Sequence, residues 1–252
     1  MFMKDKPKLI AFDLDGTLAE SKQRLSAEMG EHVVSLLEHF QVAIMSGASF
    51  AQFEKQFLPA LPDTPHLDRL FIFPTNAAQC YTHKSGEWRA VYDRSFDVFE
   101  KSRIMQALKE ALEETGFAKP VEPLWGERIE DRGAQISFSG LGQEAPLDAK
   151  KMWDPVGERK KKIRDAVVKR LPDFSVVASG STTVDITQKG INKAYGIRQL
   201  VEMTDITIGE MLYIGDALQE GGNDAVVKQT GIKTIGVFGP DETATLIEDL
   251  LK

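Results

Sequence analysis

Asp13 and Asp15, two residues apart, form the pair in this chain whose types and spacing could do covalent chemistry. They follow a short apolar run, Leu9 to Phe12, that reads as a strand buried on both faces, as in a parallel sheet. Asp13 therefore falls at a strand's C-terminal end, where open α/β sheets bind ligands. Two carboxylates there can share one divalent cation and still divide two tasks. One attacks as a nucleophile and the other carries a proton. Gly16 permits a sharp turn, and Thr17 is expected to fix that turn through its hydroxyl. An Asp-Gly turn after a strand is common, so the pair needs partners elsewhere in the chain.

Three further places supply candidates. Ser46 and Gly47 end a second apolar run, Gln41 to Met45, where a hydroxyl and a backbone N–H could hold a phosphate; Ser49 is the rival hydroxyl. Lys193 lies in the first turn of a helix that Asn192 can cap. A lysine there opposes the helix dipole, a local misfit that points to a functional ammonium, with Lys189 as its rival. Gly215-Asp216 ends a further apolar run, Met211 to Ile214, and Asn223-Asp224 follows Gly221-Gly222. Asp216 could complete an oxygen-ligand site with Asp13 and the backbone carbonyl of Asp15, and Asp224 could serve behind it or through water.

The elements that must position these groups follow a βα grammar at both ends of the chain. Ser26 reads as an N-cap, with Met29, Val33, Leu36, Leu37 and Phe40 on one helical face. Phe50, Phe53 and Phe57 mark the helix after the second strand, and Leu70 to Phe73 reads as a third strand. Between about Asn76 and Ile186 the grammar changes. Cys80 to His83 and Trp88 to Tyr92 flank a hairpin signal, and a helix from about Phe96 to Thr115 stops at Gly116. A strand, Ala134 to Ser139, comes next, then a helix capped by Asp154, then strands Phe174 to Ala178 and Thr182 to Thr187. Parallel grammar then returns through Met211 to Ile214, Lys233 to Val237 and a last helix from about Asp241. The expected architecture is an α/β domain with a parallel sheet, made of residues 1–80 and 188–252 and interrupted by an α+β insert at 81–187.

Composition narrows the partners. Of the 252 residues, 42% are hydrophobic and 27% charged, as in a soluble globular protein. A formal net charge of −7 gives nucleic-acid binding no electrostatic support, so an anionic substrate needs a local cation. Cys80 is the one cysteine, which excludes an intrachain disulfide and points to a reducing, cytoplasmic setting. Met1 to Lys8 lacks the apolar core of a leader, and no apolar run approaches the ~20 residues of a membrane span. The Lys160-Lys161-Lys162 run fits a solvated helix face.

The order Asp, Ser, Lys, Asp at the ends of parallel strands resembles the four motifs of the haloacid dehalogenase superfamily. That resemblance implies a Rossmann-like core, Mg2+, and phosphoryl transfer through an aspartyl-phosphate. The insert between the second and third motifs resembles the type IIB capped branch, and the chain from about Leu9 to Leu251 looks most like eukaryotic-type phosphomannomutases. Residues 215–224 with their Gly-Gly-Asn-Asp spacing, the Thr183-Val184-Asp185 strand and Glu130-Asp131-Arg132-Gly133 carry the likeness. It implies that Asp13 is the nucleophile, Asp15 the acid and base, and Ser46 and Lys193 the phosphoryl stabilisers, with Asp13, Asp15, Asp216 and Asp224 around the metal. It further implies a phosphorylated sugar substrate and a homodimer through the cap. In that family three cap arginines hold a distal phosphate. Here Arg132 matches the first, Gln143 stands at the second position and Lys150 at the third, or Lys151 if the alignment slips by one. Thr183 and Asp185 match the positions that bind the sugar. Replacing two arginines weakens the grip on a second phosphate. That departure sets a sugar-phosphate phosphatase beside a mutase as the expected activity.

Overall fold

A computed structural model describes residues 6–21 and 23–252. Most of the N-terminal stretch read above as lacking a leader, and Lys22 in the loop after the Asp motif, lie outside the described residues. In chain order the strands are β1 (Leu9–Asp13), β2 (Gln41–Met45), β3 (Leu70–Phe73), β4 (Gln79–Lys84), β5 (Glu87–Asp93), β6 (Ile129–Asp131), β7 (Ile136–Ser139), β8 (Phe174–Ser179), β9 (Thr183–Gln188), β10 (Met211–Gly215) and β11 (Lys233–Gly236). The α-helices are α1 (Ala27–His39), α2 (Phe50–Gln56), α3 (Val98–Thr115), α4 (Leu147–Trp153), α5 (Glu158–Arg170), α6 (Lys193–Thr204) and α7 (Pro240–Leu251). The chain divides into two compact units. One contains the residues up to Asp93 together with Asn192–Lys252, and the other is Arg94–Ile191.

The first unit is built on a seven-stranded sheet in the order β11-β10-β1-β2-β3-β4-β5. β1 is buried along its whole length, and β10 likewise. Successive residues of a strand point to opposite faces, and each face here has its own core. Ile10, Phe12, Val42 and Ile44 pack with Val33, Leu36 and Leu37 of α1 and Ile247 of α7. Leu9, Ala11, Ala43 and Met45 pack with Ile197 and Leu200 of α6. The central strands are parallel and in register, with Asp13 beside Met45 and Phe12 beside Ile214. The residues that leave their C-terminal ends therefore form one row: Asp13, Ser46 and Asp216.

The β4–β5 hairpin is antiparallel and pairs with β3. The sequence reading assigned residues 81–93 to the insert, because the antiparallel grammar begins there. Pairing with the edge of β3 makes them part of the core sheet instead. The second unit has a four-stranded antiparallel sheet, β6-β7-β9-β8. Phe138, Val184 and Ile186 on its apolar face pack with Ile104, Leu108 and Leu112 of α3 and with Ile163 and Val167 of α5. The α3 helix opens with a reciprocal cap between Asp97 and Glu100 and ends at Gly116, whose φ of +83° suits glycine. The short α4 was not anticipated. Asp154, expected to begin a helix, follows the last residue of α4. Its carboxylate still reaches α5, accepting from the N–H groups of Arg159 and Lys160 at 3.1 and 3.0 Å.

Gly30, inside α1, gives the sheet face a test. An alanine in an exposed helix interior is about 1 kcal/mol better than glycine. Here a Cβ would stand 2.0 Å from the carbonyl oxygen of Ala60. Gly30→Ala should therefore destabilise the protein, by about 1–3 kcal/mol as overpacking does, measured by urea unfolding. A gain in stability would show that the α1–Ala60 contact gives way without cost.

Candidate active site

The site begins where β1 ends. Asp13 is 3% exposed, and the chain then turns sharply: Gly16 N donates to Ala19 O at 2.7 Å and Leu18 N to Leu14 O at 3.0 Å. Gly16 has φ +85°, and a Cβ there would lie 2.5 Å from Oδ2 of Asp216. Glycine is required both for the turn and for the approach of that carboxylate. The hydroxyl of Thr17 was expected to fix the turn. It does not: among the described residues its buried Oγ1 has no hydrogen-bond partner, and the turn carries the backbone bonds just given.

Lys193 is carried in by α6. Asn192 caps that helix, its Oδ1 accepting from Tyr195 N at 3.1 Å, as its sequence position predicted. The Lys193 side chain is 1% exposed, and its Nζ donates to Oδ1 of Asp13 at 2.5 Å and to Oδ1 of Asp224 at 2.6 Å. Two carboxylates thus offset the unfavourable position at the helix start. The rival Lys189 is exposed and donates to the carbonyl of Pro172 at 2.5 Å, within the second unit. Ser46 donates from Oγ to Oδ2 of Asp15 at 3.2 Å and accepts from Ala48 N at 3.1 Å. Ser49, the alternative hydroxyl, sits at the N-cap of α2 without a side-chain capping bond. Gly47 stands half-buried between Ser46 and Ala48.

Asp224 is fully buried. Besides Lys193 it accepts from the hydroxyl of Tyr213 at 2.5 Å and from Ala217 N at 3.1 Å. Carboxylate oxygens of Asp13, Asp216 and Asp224 all lie within 4.8 Å of one another. Hard oxygen donors at such spacing suit a divalent cation such as Mg2+. Burial pushes the carboxyl of Asp13 well above its ordinary value. Lys193 opposes that rise, and Asp224 and Asp15 add to it. Asp216 reaches solvent, yet burial of its carboxyl and then the charge of Asp224 raise it as well. Burial alone would lower Lys193, but the charges of Asp13 and Asp224 outweigh it and hold the ammonium protonated. The phenol of Tyr213 is raised first by burial and then by Asp224. Tyr213 was not anticipated as part of the site. The available signal was a hydroxyl in a strand buried on both faces, where aliphatic residues are the rule.

The remaining sequence candidates lie in the second unit. Arg132 pairs with Glu130 at 2.6 Å and its Nη2 meets Oε1 of Gln143 at 3.5 Å. The Gln143 amide in turn donates to Ser137 O at 3.4 Å. Asp185, 4% exposed, accepts from the hydroxyls of Ser137, at 2.6 Å, and Ser179. Gln135 donates to Ser137 Oγ at 2.7 Å. Thr183 lies at the start of β9, opposite Ser139 of β7, and Lys150 is buried on α4 whereas Lys151 is exposed. Arg132, Gln143 and Asp185 are therefore linked through Ser137, and Ser137 and Asp185 occupy the sheet positions that alternate with Ile136, Phe138, Val184 and Ile186.

A family model described as haloacid dehalogenase-like hydrolase matches residues 148–224. A phosphomannomutase of Encephalitozoon cuniculi is 24% identical over 99% of this chain and 95% of its own length. Among solved structures, a C-terminally truncated IMP-nucleotidase of Plasmodium falciparum superposes with a TM-score of 0.72 at 16% identity, over 98% of this chain and 72% of that one. A haloacid dehalogenase-like hydrolase of Bacteroides thetaiotaomicron does so with 0.63 at 19% identity, over 97% of this chain and the whole of the other. The fold, with its mostly parallel central sheet and separate antiparallel sheet, is that of the haloacid dehalogenase class. Residues 148–224 match that family of hydrolases, and the chain is similar over nearly its whole length to phosphomannomutases. No helix among the described residues is long and apolar enough to cross a membrane.

The raised carboxyls set the sign of a pH effect. In the metal-free fold Asp13 and Asp216 hold protons more tightly than in the unfolded chain. Their contribution to stability is present at low pH and is lost as pH rises through the raised values. Mg2+ competes with those protons. The stabilisation by Mg2+, read as a rise in Tm, should therefore be larger at pH 8 than at pH 5.5, and amounts to about 2.7 kcal/mol where the ion is at 100 times its Kd. A pH-independent rise in scanning calorimetry would place the ion elsewhere.

Proposed function

We propose that this enzyme transfers a phosphoryl group from a hexose phosphate through an aspartyl-phosphate, with the chemistry of a phosphomannomutase. The observation that carries this reading is the buried Lys193 ammonium, bonded at 2.5 Å to one oxygen of Asp13. Lys193 occupies Oδ1 and leaves Oδ2 for attack on phosphorus. The P–O bond to the sugar breaks as the Asp13–phosphorus bond forms, and Asp15 supplies the proton to the departing sugar oxygen. Ser46, bonded to Asp15, and Gly47 then offer a hydroxyl and a backbone N–H to the phosphoryl oxygens, with Lys193 adding positive charge. Asp13, Asp216 and the backbone carbonyl of Asp15 would hold Mg2+, with Asp224 behind them. When bound, the ion offsets charge on the phosphoryl oxygens.

In the mutase, a hexose 1,6-bisphosphate first gives its phosphoryl group to Asp13; the free hydroxyl of a monophosphate then takes it while Asp15 accepts the proton, and the bisphosphate so formed turns over in the site and returns its other phosphoryl group to Asp13. The second unit serves as the cap that recognises the sugar, through Arg132, Gln143, Lys150, Thr183 and Asp185. The same reading carries a homodimer through that unit, which sedimentation at micromolar concentration tests.

One observation favours a phosphatase as the second reading. The charge of Arg132 is shared with Glu130 at 2.6 Å, and its neighbour at 3.5 Å is the neutral Gln143. A weak hold on a second phosphate would let water, with Asp15 as base, take the phosphoryl group from Asp13.

A 31P NMR time course with Mg2+ and mannose 1-phosphate separates the readings. Mannose 6-phosphate that appears only with a catalytic amount of hexose 1,6-bisphosphate establishes the mutase; free phosphate establishes the phosphatase. Asp13→Asn should reduce either signal to background and keep the folded circular dichroism spectrum, and a fully active variant would sink the mechanism. Gln143→Arg should tighten the bisphosphate about tenfold more than the monophosphate, since a bond to a charged donor is worth about 1.5–3 kcal/mol. An equal effect on both would remove Gln143 from the distal phosphate.

A further inference from the structure

Tyr213 lies in the middle of β10, fully buried, between Leu212 and Ile214, which pack into the opposite core. A tyrosine in such a place brings a hydroxyl that must find a partner. Its OH donates to Oδ1 of Asp224 at 2.5 Å. The same oxygen accepts Nζ of Lys193 at 2.6 Å, and Lys193 spends a second proton on Oδ1 of Asp13 at 2.5 Å. The other oxygen of Asp224 accepts from Ala217 N at 3.1 Å. Asp224 is thus held by donors from β10, from the loop after β10 and from α6. Gly215 leaves the room for this: a Cβ there would lie 2.5 Å from Oδ2 of Asp224 and 2.9 Å from Cε1 of Tyr213.

We propose that Tyr213 is a positioning residue of the active site. Its hydroxyl fixes the rotamer of Asp224, and through Asp224 it fixes how Lys193 is shared with Asp13. A carboxylate without solvent around it does not rotate away from three donors. With the phenol removed, Oδ1 of Asp224 keeps Lys193 alone. The carboxylate can then turn toward the ammonium and draw it from Asp13. The spacing of Asp13, Asp216 and Asp224, which suits a cation, loosens at the same time. Tyr213 touches neither the phosphoryl group nor the cation in this account. This inference rests on the proposed phosphoryl transfer for its kinetic consequence, but not for its effect on the cation.

Tyr213→Phe removes one oxygen and keeps the ring. Isothermal titration with Mg2+ alone, without substrate, should show a Kd raised about tenfold, in the range seen when a partner behind a metal ligand is lost. The kcat for the phosphoester should fall about tenfold while KM stays within twofold, because the loss bears on Lys193 and Asp13 and not on the sugar. In Asp224→Ala the phenol has nothing left to position. Adding Tyr213→Phe to it should then change Mg2+ affinity less than twofold. If Asp224→Ala does not fold, the Mg2+ isotherm and the kcat–KM split of Tyr213→Phe decide alone. Unchanged Mg2+ affinity in Tyr213→Phe, or losses that multiply in the double variant, would make Tyr213 core filling and overturn the proposal. A wild-type protein that neither binds Mg2+ nor turns over a phosphoester would overturn the proposed function itself, and the role of Tyr213 with it.

Discussion

A single ammonium, that of Lys193, holds together carboxylates brought from β1 and from the loop after β10. Removing charges from water costs several kcal/mol per ion, and a buried ion pair seldom gains stability over an apolar replacement. A cluster of this kind is therefore poor evidence of a stabilising device and good evidence of a site. Its parts fit only because the surroundings allow it. Gly16 and Gly215 leave space for Asp216 and Asp224, Asn192 starts α6 so that its first residue points inward, and the register of β1 with β10 aligns the strand ends.

A second constraint lies where β3 ends. Thr75, Asn76 and Ala77 have φ of +51°, +55° and +67°, three consecutive left-handed residues without a glycine. Each such residue costs roughly 1–2 kcal/mol. The turn is fastened to the loop that carries the site serine: Thr75 N donates to Ala48 O and Asn76 N to Ser46 O, both at 2.9 Å. Gly196 of α6 accepts Ala77 closely, since a Cβ there would meet that of Ala77 at 2.8 Å. Strain in the backbone is thus offset by bonds that fix Ser46 and by packing against the helix that delivers Lys193. Strain of this sort concentrates where geometry matters more than stability.

Much of this was legible in the sequence because the signals are local. An apolar run followed by Asp or Ser-Gly marks a strand end, and Asn before a helix marks a cap. Asp13, Ser46, Lys193, Asp216 and Asp224 could be placed in one row without any knowledge of distance. What the sequence hid is what only pairing or packing decides. The β4–β5 hairpin looks like the start of an insert until β3 offers it an edge. The Tyr213 hydroxyl passes for strand filling until Asp224, eleven residues on, is seen to accept it. Thr17 shows the reverse: a residue well suited to a turn whose hydroxyl finds no partner there.

The charge balance of the row explains why a cation belongs in its chemistry. Asp13, Asp15, Asp216 and Asp224 stand together with one ammonium. A phosphoryl group approaching Asp13 brings further negative charge into a place where, at an effective dielectric of about 20, two like charges 4 Å apart repel by about 4 kcal/mol. Lys193 cannot relieve this alone, because its charge is already divided between Asp13 and Asp224. A divalent ion held by these carboxylates would relieve it, and would lower the carboxyls of Asp13 and Asp216 from their raised values. On the proposed reading Asp13 would then be free to attack, with less charge opposing the anion it meets. Both effects would act on one residue at the end of one strand, so the proposed metal and the proposed substrate would share a single site.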